Sequence, residues 1–252
     1  MGELSEFLRA GPPRTGRTTV RAVELREALR TTGAVREFRA DPVDDATLGR
    51  ALDTARFAPS GGNRQGWRVV VVQDPGQRRA LRDLYLDGWY EYLAIGAAGL
   101  VPWAPVTDRA AERDAVARAA EIRATAQAGP GGFAEHLDEV PVLLVVLADL
   151  RALAAVDRDL DRYTLAGGAS IYPFVWSVLL AARDEGLAGV MTTMPIRREP
   201  EVKALLHVPD ELAVAAVVAL GHPVRQPRRL TRAPVDEFTT VDHFDGPRFG
   251  GA

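Results

Sequence analysis

The chain has 252 residues, 47% of them hydrophobic and 26% charged, with a formal net charge of -3. It is long enough to bury a substantial core, and its acidic balance provides no global field for nucleic acid. It contains no cysteine, which excludes disulfides, thiolate nucleophiles and cysteine-ligated zinc or iron–sulfur centres.

His136, His207, His222 and His243 are scattered without a metal-ligand spacing, so no metal site is expected. Lys203 is the only lysine. An arginine-rich balance of this kind fits a GC-rich codon bias, and it also suits phosphate recognition.

Residues 1–19 read as an N-terminal arm, with Gly11, Pro12, Pro13 and Gly16 among charges and no apolar core of a secretory signal. No stretch reaches the roughly 18 apolar residues of a spanning helix, so a cytoplasmic protein without membrane contact is the expectation. Val23, Leu25, Ala28 and Leu29 predict a short helix, broken at Thr31-Thr32-Gly33. Asp41-Pro42 and Asp44 open a second, with Leu48, Leu52 and Ala55 at helical spacing. Pro59-Ser60-Gly61-Gly62-Asn63 is a loop, 67–72 a buried strand, and Asp74-Pro75-Gly76 the start of a helix through Leu81, Leu84 and Tyr85.

The segment 88–130 is less regular. Trp89, Tyr90, Tyr92 and Trp103 near Gly and Pro have the character of a lid or substrate-facing segment, and 109–128 that of an exposed helix. Residues 140–148 and 212–220 are two further apolar strands. Residues 169–188 are apolar on nearly every face, which predicts a helix buried on all sides at the centre of a dimer. The Arg- and Pro-rich end, 224–252, reads as an arm that wraps something larger than its own core. Three strands without regular βαβ spacing, and no Gly-x-Gly-x-x-Gly or P-loop, predict one α+β domain over 20–252 with extended ends.

Four places hold candidate chemistry, and each has an ordinary alternative. Arg36 follows a helix terminus, where it can pair with a phosphate, although a plain surface arginine is the better account of that residue alone. Ser60, Asn63 and Gln65 gather hydrogen-bonding groups around two glycines just before a strand, suited to a planar polar ligand or to a simple turn. The run 186–193, ending in Thr192 and Thr193, is small enough to let a ring lie against backbone. Arg228-Arg229-Leu230-Thr231-Arg232 is a phosphate clamp or a solvated basic stretch, of which the second is the commoner.

Their order and combination decide more. Thr-Thr-x-Ala-x-Arg-x-Phe at 31–38, Asp-Pro-Val at 41–43 and Ala-Pro-Ser-Gly-Gly-Asn-x-Gln-x-Trp-Arg at 58–68 closely resemble the nitroreductase family of FMN-dependent oxidoreductases. The likeness is greatest to its actinobacterial-type branch, and it extends through Ile171-Tyr172-Pro173, Gly221-His222-Pro223 and Arg232-Ala233-Pro234-Val235, over about residues 23–243. The resemblance implies a central, mostly antiparallel sheet flanked by helices, in an intertwined homodimer with extended terminal arms and FMN at its interface.

Carried over by position, it implies that Thr32, Gly33, Ala34 and Arg36 line the ribityl-phosphate side, with Ser60, Asn63 and Gln65 arriving from the other subunit. Thr192 and Thr193 would lie near the flavin ring, and Arg229 and Arg232 would hold the phosphate. Trp89, Tyr92 and Trp103 would form the substrate pocket. No side chain is expected to be catalytic in its own right, because the cofactor carries the redox step.

The reaction implied is hydride transfer from NADH or NADPH through FMN to a small electron-poor acceptor, a nitroaromatic or quinone, by a ping-pong mechanism. Alternatives on the same scaffold are a flavin-dependent oxidase or dehydrogenase, a reductive dehalogenase, or a non-catalytic FMN-binding protein. Three departures from the family stand out, one of them an N-terminal arm, to about Thr19, that is longer than usual. Gly33 replaces a polar residue, and Trp176-Ser177 replace Gln-Asn, with Trp176 read as core packing.

Overall fold

The structure, a computed structural model, describes residues 23–250. The predicted arm at 1–19 lies outside the described residues. In chain order the elements are α1 (Leu25–Thr31), α2 (Asp45–Ala55), β1 (Trp67–Val71), α3 (Pro75–Ala97), α4 (Arg109–Val116), α5 (Ala119–Gln127), β2 (Val142–Asp149), α6 (Tyr172–Asp184), β3 (Ala188–Thr192), α7 (Glu199–Leu206), β4 (Leu212–Gly221) and α8 (Val235–Phe238).

Local chemistry sets several of these boundaries. Asp44 caps α2 by accepting from the Thr47 amide at 2.7 Å, and Asp74 caps α3 by accepting from the Gln77 amide at 2.8 Å. Pro75 in the first turn of α3 gives up an amide that has no helical partner there. The last helix before β4, α7, ends at His207 in a left-handed conformation, φ 52°.

The sheet is antiparallel throughout, in the order β1-β2-β4-β3. Every residue of β2 is buried, so both faces of the sheet are covered. Alternation along that strand splits the core in two. Leu144 and Val146 face α2 and α6, packing with Phe174, Val178 and Ala182. Leu143, Val145 and Leu147 face the other way, with Leu81 and Tyr85 of α3 and Val202 of α7.

Three expectations are corrected. There are four strands, not three: 188–192, expected as an open run of small residues, is β3 and pairs with β4 from Ala188↔Gly221 to Thr192↔Val217. It escapes a hydropathy reading because it is five residues long and begins with alanine and glycine. The lid segment 88–130 is mostly helical, its first ten residues completing α3 and its exposed helix dividing into α4 and α5.

The third correction concerns Trp176, which is 39% exposed and not part of the chain's own core. Phe174, Val175, Val178 and Ala182 take α6 onto the sheet, which leaves Tyr172 and Trp176, one turn apart, facing outward.

Candidate functional site

The 33–36 segment, reached as α1 ends, runs along the outer edge of β3. The Val35 amide donates to Gly189 O at 3.0 Å, which directs the chain past the edge strand. Further along, the Val224 amide donates to Glu37 O at 3.1 Å and the Arg39 amide to His222 O at 2.8 Å. Arg36 thereby lines, together with Met191, Thr192 and Thr193 at the end of β3, a cavity of about 210 Å³.

The wall of that cavity comes from α3. Tyr85, Trp89 and Tyr92 follow at i, i+4 and i+7, one helical face, and all three line it together with Phe133. Their rings form a ladder: Tyr85 to Trp89 at 6.2 Å between centroids, and Trp89 to Tyr92 at 5.5 Å with planes 7° apart. Trp103 continues it, 6.2 Å from Tyr92, with the Arg197 guanidinium 5.0 Å from its ring centroid.

Two of the three expected pocket aromatics, Trp89 and Tyr92, therefore line the cavity. Trp103 does not, and instead backs Tyr92 from outside. Sequence reasoning missed Tyr85 and Phe133, although the spacing of Tyr85 to Trp89 and Tyr92 carried the signal. Burial raises the Tyr85 phenol above its usual pKa, opposed by the Thr192 side chain and the Arg36 guanidinium beside it.

Thr32 and Gly33 lie under the C-terminal arm, and Ala34 beside them is exposed. The Gln226 carboxamide donates to Thr31 O at 2.9 Å and the Leu230 amide donates to Arg30 O at 3.2 Å. Arg229 and Arg232 are thus carried to the end of α1, both exposed. Neither they nor Arg36 pair with a carboxylate among the described residues. Thr32 Oγ1 and Gln226 Oε1 are buried there without a hydrogen-bond partner among the described residues.

The loop 59–65 is built tightly. Ser60 Oγ accepts from the Gln65 amide at 3.0 Å, and the Gln65 carboxamide donates to Asn63 Oδ1 at 3.2 Å. Gly62, Asn63 and Gln65 all have positive φ, at 61°, 53° and 50°. Glycine and asparagine accept that region, whereas glutamine seldom does unless its surroundings hold it there.

This loop is far from Arg36 within one chain. It feeds Trp67, which pairs with Ala148 on one outer strand, while Val35 sits at Gly189 on the other. Gly189 pairs with Leu220, which pairs with Val142. The two places are therefore separated by three strand spacings, about 14 Å, and by six residues along the strands, about 20 Å. One chain brings Arg36, Thr192 and Thr193 together and leaves Ser60, Asn63 and Gln65 on the opposite edge.

The nitroreductase family model matches residues 29–222. A protein called NADH dehydrogenase from Thermus thermophilus is 30% identical over 219 residues, covering 86% of this chain and 96% of its own. The 5,6-dimethylbenzimidazole synthase of Rhodospirillum rubrum is 30% identical over 205 residues, covering 78% of this chain and 82% of its own. Among solved structures, iodotyrosine deiodinase bound to FMN and 3-iodo-L-tyrosine superposes with a TM-score of 0.60. It shares 24% identity over 88% of this chain and the whole of that one, a likeness of fold. The matched span holds all four strands, Arg36 and the 58–67 loop. The chain belongs to the nitroreductase family.

Proposed function

We propose that this chain, an FMN-dependent NAD(P)H oxidoreductase by family, works as a homodimer whose two cofactor sites each take residues from both copies. The observation that carries this reading is the separation of Arg36 from the Ser60–Gln65 loop. If both serve one ligand, a second copy must bring them to one place. The face that would meet that copy is apolar and exposed, with Leu25 and Leu29 on α1 beside Tyr172 and Trp176 on α6.

The residues present fit FMN. A phosphate dianion needs guanidinium groups that are not already paired, and Arg229 and Arg232 at the end of α1 meet that need. Thr32 and Gln226 hold buried polar atoms without partners, each of which costs about 1–3 kcal/mol until it gains one. Thr192, Thr193 and Arg36 line the cavity together, where they would meet the polar edge of a flavin. Ser60, Asn63 and Gln65 would close the site from the partner.

When bound, FMN supplies the hydride chemistry, accepting from NADH or NADPH and passing the equivalents to a small electron-poor acceptor such as a quinone or nitroaromatic. The chain's own residues bind and orient. The ladder of Tyr85, Trp89 and Tyr92 offers flat apolar surface and excludes water from the cavity. Donor and acceptor would take turns against this aromatic face beside the flavin, in ping-pong exchange.

A second reading keeps the scaffold and makes the enzyme an oxidase or dehydrogenase of a specialised metabolite. The equal identities to the NADH dehydrogenase and the 5,6-dimethylbenzimidazole synthase support it. Anaerobic titration of the purified protein with NADH and NADPH separates the two. Bleaching of a bound flavin by either nucleotide, and recovery on adding a quinone, is expected. A flavin that neither nucleotide bleaches would favour the second reading, and a protein that stays colourless after FMN addition and desalting would overturn both.

A further inference from the structure

Gly33 lies between the end of α1 and Arg36, and the space left by its missing side chain is filled. A Cβ built on Gly33 would lie 2.8 Å from Leu230 Cδ2 and 3.6 Å from Pro227 Cγ. Leu230 is thus seated in a notch that exists because residue 33 has no side chain. Its amide is held at the same time by Arg30 O at 3.2 Å.

We infer that Leu230, seated in the Gly33 notch, is a positioning residue that sets the register of a strap over 228–232, presenting Arg229 and Arg232 to the phosphate of FMN, while Gln226 is held separately through Thr31 O. The inference rests on the cofactor reading above. Gly33 has no side chain that could hold this phosphate, and the strap over it carries groups that can.

Two independent features meet at the strap. Arg229 and Arg232 flank Leu230 and pair with no carboxylate among the described residues, as groups reserved for an anion would. Gln226 and Thr32 lie where the strap crosses the end of α1, and each keeps a buried polar atom without a partner. Thr32 is 92% buried, so its hydroxyl has no recourse to bulk water. Gln226 is fixed through its nitrogen to Thr31 O, which leaves its oxygen to accept from a ligand hydroxyl. Leu230 is held by its contact with Gly33 and its amide bond to Arg30 O, and Gln226 by its carboxamide bond to Thr31 O.

The test compares FMN with riboflavin, which has the same ring and ribityl chain but no phosphate, on the full-length apoprotein by flavin fluorescence quenching. Leu230→Ala is expected to weaken FMN about tenfold while leaving riboflavin affinity and apoprotein melting near wild type, a coupling typical of residues in contact. Gly33→Leu, which fills the notch and displaces Leu230, should do the same. The exchange variant with both Gly33→Leu and Leu230→Ala should recover most of the lost FMN affinity, because the knob is moved to the other side of the contact. Gln226→Leu should weaken both flavins, since it acts on the hydroxylated chain. Equal losses for FMN and riboflavin in Leu230→Ala, no loss at all, or an exchange variant no better than the single ones would each overturn the inference. Failure of the wild-type protein to bind either flavin would instead overturn the cofactor reading beneath it.

Discussion

The Gly61 amide donates to Ser170 Oγ at 3.1 Å across 109 residues of sequence, tying the glycine loop before β1 to the turn that leads into α6. Ser170 is buried. Its replacement by alanine leaves the amide to find water at a part-buried place, a loss of about 1–2 kcal/mol. Ser170→Ala should lower the melting temperature by about 2–4 °C for each kcal/mol in a chain of this size. It should also weaken FMN severalfold, because the 59–65 loop loses its anchor. Differential scanning calorimetry with and without FMN checks both, and an unchanged melting temperature would refute the anchoring role.

Asp157 makes a pH-dependent contribution to stability. Its carboxylate accepts from the Leu165 amide at 2.6 Å, from the Ala166 amide at 3.2 Å and from Arg162 at 2.9 Å. The backbone donors, Leu165 foremost, hold it down to about 2 from an ordinary value of 3.8. Because the folded value lies below the unfolded one, the stabilisation is complete above the unfolded pKa and is lost as pH falls from about 4 toward 2. Asp157→Asn should melt earlier than wild type at pH 7, with the gap closing over that acid window. A gap that stays constant down to pH 2 would contradict it.

Arg36 has a direct test. Arg36→Met keeps the bulk of the side chain and removes its charge from the lining of the cavity. The variant is expected to fold normally and bind FMN about tenfold or more weakly, as loss of a charge-assisted contact to a bound ligand costs about 1.5–3 kcal/mol. Equilibrium titration at two ionic strengths should show a smaller salt dependence than wild type. An unchanged affinity would return Arg36 to the status of a surface residue.

Much of this was readable in the residues, for definable reasons. The runs at β2 and β4 are long, β-branched and bounded by turn residues, and Asp44 and Asp74 announce their helices by capping them. What hid were features set by tertiary contact. Gly88 reads as a break, yet it lies inside α3, where a Cβ would meet Met194 O at 2.8 Å; the glycine is there for close approach. Trp176 is apolar like its neighbours, and only the packing of α6 reveals that it points away from the chain's core. The cavity joins Arg36, Tyr85, Phe133 and Thr192, and no local pattern links positions so far apart in sequence.

The outward pair on α6 gives a further expectation. Trp176→Glu places a charge on the proposed contact between copies, where an unpaired buried charge costs several kcal/mol. The variant should run as a folded monomer on sizing chromatography with light scattering, and it should lose FMN although Arg36, Thr192 and Arg232 are intact. A monomer that holds FMN as tightly as wild type would show the site to be complete in one chain.

The central claim, one cofactor site made from two copies, is tested most directly by mixing two defective proteins. Arg36→Ala removes one half of the site and Asn63→Ala the other. If each site takes Arg36 from one copy and Asn63 from its partner, a mixed dimer has one site with both changes and one with neither. Unfolding and refolding the two variants together should then restore bound flavin at about a quarter of all sites, as random pairing of equal amounts gives. A refolded mixture that forms dimers yet binds no more flavin than the variants alone would contradict the account.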